Sequence, residues 1–418
     1  MDIEAIGKSP IGKLVPITGI DPRTTQAWEY WAYLPDPLPP HVDLSPAATA
    51  AAAKAAMAVA RLDEAVAQLP RPEILVRPII RREATSTSAL EGTYASFQEV
   101  LEADFLQDSQ MSFEQREIRN YVEAAEVAVE HITERRISRS FLGSLQKIVV
   151  RGTKGDTTDA GDIRPHEVAI GAKDRPISDA RFVPCPSGDQ LVAGVDDWEE
   201  WVAASSDLLI VAKTAIAHYQ FETLHPFGDG NGRLGRLIAL LQIMQARELR
   251  WAVLNIAPWF EARRDRYQDG LMQVTLSGDF SPWVEFFAEA VEVQAREGLA
   301  TIKQLLAIRD RMVAELRSKG MRGSPIEIAE VLIGYPVIDV PTVRRLIGKS
   351  FQAANQTVSK LIERGMLQEI TGRRQDRLFV NSEIFLTINR PGLQVDPSTP
   401  IYFKPSNAHL DDGTRPLA

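Results

Sequence analysis

Residues 225–236 read His-Pro-Phe-Gly-Asp-Gly-Asn-Gly-Arg-Leu-Gly-Arg, and the chemistry of these twelve positions organises the reading of the whole chain. Gly228, Gly230, Gly232 and Gly235 let successive backbone N–H groups converge into an anion-binding concavity that leads into a helix N-terminus. Arg233 and Arg236, three apart on the opening turn of that helix, point the same way and suit polyphosphate oxygens. Asp229 is a hard oxygen ligand of the kind Mg²⁺ uses between a nucleotide's phosphates, and His225 is a neutral base near physiological pH. A plain tight turn would account for the Gly, Asn and Asp residues, but not for the imidazole and two guanidiniums set among them.

Immediately upstream, Leu208, Val211, Ala212, Ala215, Ile216 and Tyr219 form one apolar stripe, which predicts a buried central helix over 206–224; residues 233–247 predict another. A rival reading groups His218, Glu222 and His225, at i, i+4 and i+7, as a zinc site. Pro226 ends the helix near His225 and displaces the third ligand, which favours His218 as a satisfied buried histidine and Glu222 as a structural acceptor.

The twelve residues match in full the signature His-x-Phe-x-(Asp/Glu)-Gly-Asn-Gly-Arg-x-x-Arg, and the chain resembles the Fic family of nucleotidyl transferases. The resemblance implies a mainly α fold: a Fic-type helical core with a β-hairpin flap, here with a C-terminal winged helix-turn-helix appended. It implies a protein adenylyltransferase, in which His225 takes the proton of a Ser, Thr or Tyr hydroxyl on a target protein and AMP is transferred from ATP. Asp229 would hold Mg²⁺, and the Gly230-Asn231-Gly232 backbone would form the anion hole. Arg233 would hold the β-phosphate and Arg236 the γ-phosphate. Leu234 and Gly235 complete the ATP-binding run, and Phe227 is the hydrophobic anchor.

A second motif lies far upstream. Thr87-Ser88-Ala89-Leu90-Glu91-Gly92 closes a helical stretch, with Gly92 past its end, and a capping box from Ser96 to Glu99 restarts the chain. The six residues match the family's inhibitory pattern (Ser/Thr)-x-x-x-Glu-(Gly/Asn), inside a run resembling its N-terminal domain from Tyr33-Leu34-Pro35 through Leu38-Pro39-Pro40 to Ala103. By that resemblance Glu91, supported by Thr87 and Gly92, pairs with Arg236 and displaces the γ-phosphate; in relatives that also remove AMP, the same carboxylate orients a water. Between the motifs, Gly161–Arg164 with Val168–Gly171 reads as a strand and Arg181–Pro186 as its return, at the place of the family's target-docking flap. Downstream, Leu254–Tyr267 corresponds to the nucleoside end of the family's site. Arg264 and Tyr267 match there, Asn255, Ala257 and Arg263 depart, and Arg263 either stacks on a base or is solvated.

The remaining features bound these expectations. A length of 418 residues, 44% hydrophobic and 25% charged, fits two or three globular domains, and a net charge of −9 argues against a general nucleic-acid coat. One cysteine, Cys185, permits no internal disulfide, and Met-Asp-Ile-Glu at the start has neither basic region nor apolar run, so a cytoplasmic location is expected; the absence of an uncharged eighteen-residue apolar stretch excludes a transmembrane span.

The chain divides into an arm and helical domain with the inhibitory helix (1–110), a catalytic core (111–299), a connecting helix (300–320), a winged helix (321–390) and a flexible tail (391–418). Residues 1–45 read as an extended arm, and Ala47–Ala67 as a close-packing helix ended by Pro70 and Pro72. In the winged segment, Pro325–Ile333, Val340–Ile347 and Gln352–Arg364 read as helices, and Leu367–Val380 as a two-stranded wing. Residues 341–380 carry eight basic against three acidic side chains, a net +5, and Gln356, Thr357, Ser359 and Lys360 are placed to face DNA. A protein-interaction module is the alternative. Candidate partners are thus ATP, a protein with a free hydroxyl, DNA and a second copy of the chain, and no membrane. Two rival functions stand beside adenylyl transfer: a nucleotide-sensing DNA-binding transcriptional regulator, and a Fic enzyme moving another phosphate-containing group.

Overall fold

Small side chains at close spacing shape the first long helix, Pro46–Ala67. Ala48, Ala52 and Ala55 are buried on one face, Ser45 caps the N-terminus by accepting from the Ala48 N–H at 3.0 Å, and Pro46 occupies the first turn, where its missing N–H costs nothing. This helix packs on Ile210–Leu224, the expected central helix, which is apolar on nearly every face and buried. Two indoles fasten onto its carbonyls: Trp198 Nε1 donates to Ala217 at 2.9 Å and Trp283 Nε1 to Ala215 at 2.7 Å.

The computed structural model describes residues 1–20, 25–69, 71–171 and 175–390, so the expected tail (391–418) and Pro70 lie outside the described residues. The architecture is mainly helical, with two small antiparallel sheets. It resolves into two compact units, one of Met1–Ala95 with Asp108–Leu299 and one of Ser96–Gln107 with the residues from Ala300 onward; the division falls within one long helix, Ser281–Ser318.

In the first unit, residues 1–45 are not an extended arm. Gly12–Ile20 and Ala27–Pro35 pair along their whole length as an antiparallel hairpin, from Gly12 opposite Pro35 to Ile20 opposite Ala27. The aromatic and β-branched residues of these strands outweigh the prolines: Pro16 is tolerated within a strand, and Ile17, Ala32 and Tyr33 form the buried side of the hairpin. The hairpin braces the flap, because Tyr33 N donates to Val183 O at 3.0 Å, and Ile17 and Ala32 share a cluster with Ala180 and Val183. Among the described residues, the flap strands meet in one antiparallel bridge, Ile170 with Phe182, rather than a ladder; Pro184 and Pro186 on the return cannot donate.

The second unit contains helices Ser324–Val331, Val340–Ile347 and Phe351–Glu363, close to the expected spans. The wing strands are Gln368–Glu369 and Leu378–Val380, and a strand missed in the sequence, Val337–Asp339, joins them in a sheet with Leu378–Val380 at its centre. Its three residues are too few for period-two alternation to register. Thr357, expected to face outward, is buried and donates to Ala353 O at 2.9 Å, whereas Gln356, Ser359 and Lys360 are exposed. The capping box is complete in this unit, with Ser96 N donating to Glu99 Oε2 at 2.7 Å and Glu99 N to Ser96 Oγ at 3.2 Å.

Candidate functional site

The signature begins where the central helix stops. His225 is its C-cap and adopts a left-handed conformation, φ 52°, unusual for a residue with a side chain, while its N–H still bonds Phe221 O at 2.9 Å. Arg164, expected only as part of a flap strand, holds this turn. The buried guanidinium of Arg164 donates to His225 O at 2.8 Å and to His166 O at 2.9 Å, and also reaches the carbonyl of Cys185; the Arg164 N–H bonds Pro226 O at 2.9 Å. One cation thus collects carbonyls from both the flap region and the histidine turn.

Asn231 closes the loop that follows. Its Oδ1 accepts from Phe227 N at 2.9 Å and its Nδ2 donates to Phe227 O at 2.7 Å, with the Phe227 ring buried beneath. The next helix, Asn231–Gln245, starts on Gly230 in a left-handed conformation, φ 84°. Its first turn presents the N–H groups of Asn231, Gly232 and Arg233, which helix geometry leaves without intrahelical acceptors. Leu234 is buried and its N–H bonds Gly230 O at 3.0 Å, so it supports the turn from the core rather than adding a free donor.

Asp229 sits at the solvent edge of this nest, its side chain 46% exposed. Its Oδ1 accepts from Gly230 N at 2.5 Å and Arg233 at 3.0 Å, while Gln146 Nε2 donates to its main-chain carbonyl at 3.1 Å. Its Oδ2 lies beside Gly155, where even a methyl group would come within 2.6 Å of it. One half-exposed carboxylate oxygen beside a helix N-terminus fits a Mg²⁺ ion that takes its other ligands from water and phosphate. Among the described residues no cluster of three His, Cys, Asp or Glu could hold a metal, which removes the zinc triad. His218 is instead buried among aromatic rings, with Nδ1 3.1 Å from Gly235 O and Nε2 2.8 Å from the Tyr267 hydroxyl, and burial pushes its pKa down to about 3.

The two arginines are buried and already paired. Arg233 contacts Glu117, on the helix Phe113–His131, as well as Asp229, and its Nε has no partner. Arg236 donates through Nε to Thr87 Oγ1 at 2.6 Å, and through a terminal nitrogen to Thr87 O at 3.1 Å and Glu91 Oε1 at 2.5 Å. The residues of the expected inhibitory motif therefore meet Arg236 across 145 positions of sequence. Thr87 lies on the last turns of Glu73–Leu90, Glu91 caps that helix, and Gly92 follows at φ 88°, letting Thr93 N return to Ser88 O at 2.9 Å. Burial works to raise the Glu91 pKa, but the Arg236 guanidinium outweighs it and holds the carboxyl below its usual range. The carboxylate hangs over Gly232, where a Cβ would lie 2.1 Å from Oε1.

A cavity opens beside these groups, lined by Glu91, Glu222, His225 and Arg236 at its polar end and by Ile170, Phe182, Leu271 and Met272 at its apolar end. Burial first, and then Arg164, push the His225 pKa down to about 4, so its ring, 19% exposed, is a neutral base at pH 7. Glu222 is not the structural acceptor expected, since its buried Oε1 has no hydrogen-bond partner. Arg263 stacks 3.3 Å above the ring of Trp259, a protein ring rather than a base or open solvent.

The helical core sets a histidine that is neutral at pH 7 beside a helix N-terminus whose first-turn N–H groups lack intrahelical acceptors. Comparison with known proteins narrows the reading. The Fic/DOC family N-terminal model matches residues 49–130 and the Fic/DOC family model residues 136–243. The chain is 31% identical over 150 residues to Protein adenylyltransferase fic-1 of Caenorhabditis elegans, covering 35% of this chain and 26% of that protein. It is 31% identical over 139 residues to Protein adenylyltransferase Fic of Culex quinquefasciatus, covering 33% and 24%. The match thus spans about a quarter of the length of these curated relatives. A Fic family protein of Desulfovibrio desulfuricans G20 shares the fold, with a TM-score of 0.54 and 19% identity over 82% of this chain and 98% of that one. The chain thus contains the Fic/DOC N-terminal region and the Fic/DOC domain, over residues 49–130 and 136–243.

Proposed function

We propose that the chain is a protein adenylyltransferase that transfers AMP from ATP to a Ser, Thr or Tyr hydroxyl and is held inactive by Glu91. The observation that carries this reading is the meeting of Glu91 and Thr87 with Arg236 over the glycine-lined start of the helix Asn231–Gln245, next to the neutral His225. In the reaction, the first-turn N–H groups of that helix neutralise phosphate charge, Arg233 takes the β-phosphate and Arg236, once released, the γ-phosphate. His225 accepts the proton of the attacking hydroxyl, whose oxygen bonds to the α-phosphorus as pyrophosphate leaves. Asp229 is the residue that would hold Mg²⁺, whose charge neutralises the phosphates. The Glu91 carboxylate also has the chemistry to orient a water against an AMP-modified target, so removal of AMP belongs to the same proposal. The deciding experiment is mass spectrometry of a cell lysate incubated with the Glu91→Gly protein and ATP. Added AMP on target hydroxyls supports the reading; a different added mass, or none, sinks it.

Asp229→Ala is expected to weaken Mg²⁺-dependent transfer strongly with little loss of stability, because the carboxylate is half exposed and ties only the local turn. An unchanged rate across a Mg²⁺ titration, with an unchanged melting temperature, would remove Asp229 from the metal role.

For the second unit we propose a winged helix that binds DNA, with Gln356, Ser359 and Lys360 exposed on the third helix and Arg373 and Arg374 exposed beyond the strand Gln368–Glu369. Binding of the whole chain to duplex DNA is expected to fall as salt rises and to fall further in Arg373→Ala/Arg374→Ala, with a shallower salt slope. Binding that ignores salt, or no binding in a gel shift, would favour a protein-interaction module.

A further inference from the structure

We propose that Glu222 is a positioning residue for His225 that receives the proton the histidine takes from the target, an inference that rests on the adenylyltransferase reading. The geometry comes from the way the two helices of the site touch. Gly235, on the second helix, lies against Glu222 on the first, and a Cβ there would come within 2.4 Å of Glu222 Oε1. Glycine makes the space in which the carboxyl is buried, and Oε1 finds no hydrogen-bond partner in it. The other oxygen, Oε2, faces the catalytic ring and lies 4.0 Å from His225 Nδ1, which is also 3.4 Å from the Glu222 carbonyl. That carbonyl can only accept, so the neutral ring carries its proton on Nδ1 and leaves Nε2 as the base. A buried carboxyl oxygen without a hydrogen-bond partner is costly, and this carboxyl opens onto the cavity that holds the base.

The step balances. The target O–H proton passes to His225 Nε2 as the hydroxyl oxygen bonds to the α-phosphorus and the bond to the pyrophosphate oxygen breaks. The Nδ1 proton passes to Glu222 Oε2, which must first close by about 1 Å to reach hydrogen-bond distance. The carboxyl, not the imidazole, then holds the extra proton; after pyrophosphate has left, solvent takes the proton from Nε2 and the carboxyl returns its own to Nδ1, which restores the base. The charged and titratable groups facing Glu222 are His218 on its own helix, His225 at the helix end, Arg236 on the second helix, Glu91 above and Tyr267 from the helix Arg264–Ser277. Burial first, opposed by Arg236 and assisted by Glu91, pushes the Glu222 pKa up to about 7, against about 4 for His225, so a proton shared by the pair rests on the carboxyl.

The test uses the whole chain with ¹⁵N-labelled histidine. In wild type, the His225 ring signals are expected to shift with a midpoint near pH 7 as Glu222 titrates, a shift absent in Glu222→Gln and kept, at an altered midpoint, in Glu222→Asp. Carried on Glu91→Gly, Glu222→Gln is expected to lower kcat for labelled-AMP transfer ~10- to 100-fold above pH 7 and to flatten its rise with pH, while the KM for ATP changes less than about twofold. The proposal is overturned if Glu222→Gln keeps the wild-type ring titration or the parent pH–rate profile. Should Glu222→Gln not fold, loss of the ring titration in a folded Glu222→Asp chain overturns it as well. If no chain transfers AMP, the adenylyltransferase reading fails, and the ring titration still decides whether Glu222 and His225 form a linked pair.

Discussion

His225→Ala is expected to lower AMP transfer by ~10²- to 10⁴-fold, the usual cost of removing a general base, while ATP still binds. The separation follows from where each group sits. The anion nest is backbone at the start of the helix Asn231–Gln245, tied by Asn231 to Phe227, and none of these contacts passes through the imidazole. The His225 main chain is held by Arg164 and by its bond to Phe221 O, so truncating the ring leaves the turn in place. The left-handed backbone at 225 suits histidine better than alanine, so the variant should lose some stability through that term while the turn, held by Arg164, stays formed. The check is turnover of labelled ATP beside calorimetric ATP binding, both on Glu91→Gly chains. Near-normal turnover in the alanine variant would end the general-base role. The low pKa of His225 also sets the sign of the pH response. The ring is in its base form at every pH well above 4, so a loss of activity as pH falls through about 7 would report protonation of Glu222 rather than of the imidazole, and the Glu222→Gln chain should show no such loss near 6.5, where an ordinary histidine would gain its proton.

Glu91→Gly is expected to raise both self-modification and target modification, by roughly tenfold to a hundredfold. That range corresponds to the ~1.5–3 kcal/mol of a hydrogen bond between charged groups. The bond at stake is the 2.5 Å contact from Arg236 to Glu91 Oε1, made beside solvent with the glutamate side chain 38% exposed, which argues for the lower part of the range. Arg236 does not become free in this variant, because Thr87 still accepts through its hydroxyl at 2.6 Å and its carbonyl at 3.1 Å. The guanidinium therefore stays aimed at the site and gains room for a phosphate. Glycine at 91 follows a helix that has already ended, so the fold should persist. Equal incorporation of labelled AMP by wild type and variant at matched concentration would show that the carboxylate does not inhibit.

The parts of the site that could be read in the sequence were those encoded by local, compressed patterns. The run 225–236 announced the helix end at His225 and the glycine-lined helix start after it, and Thr87–Gly92 announced the group that meets Arg236, because each gathers its special residues in a short stretch. Residues that act from a distance left no such trace. Arg164 was one arginine near a supposed strand, Glu117 one acidic residue on an amphipathic helix, and Gln146 an unremarkable polar side chain; each acquires its role only when the fold brings a carbonyl or guanidinium to it. Glu222 was misjudged for a related reason: helical spacing predicts neighbours, but not the lack of one. In the fold, helices with strong apolar stripes were placed within a few residues. The N-terminal hairpin was hidden because prolines suggested a loose arm, while the pairing that decides the matter runs between strands.

Gly232 has a bearing on how such a chain can change over generations. The hydrogen atom it carries in place of a side chain leaves the hollow in which Glu91 rests, and the same hollow opens the first-turn N–H groups to an incoming anion. A side chain at 232 would evict the carboxylate and, on the proposed reading, obstruct the nucleotide as well, so a lineage would have no route to unrestrained activity from that side. Routes that spare the nest lie on the segment of residues 87–92, where a single codon change can loosen the latch. If Glu91 inhibits as proposed, that restraint is easily lost and hard to disguise: heritable loss of control should map to a handful of codons far upstream of the chemistry they govern.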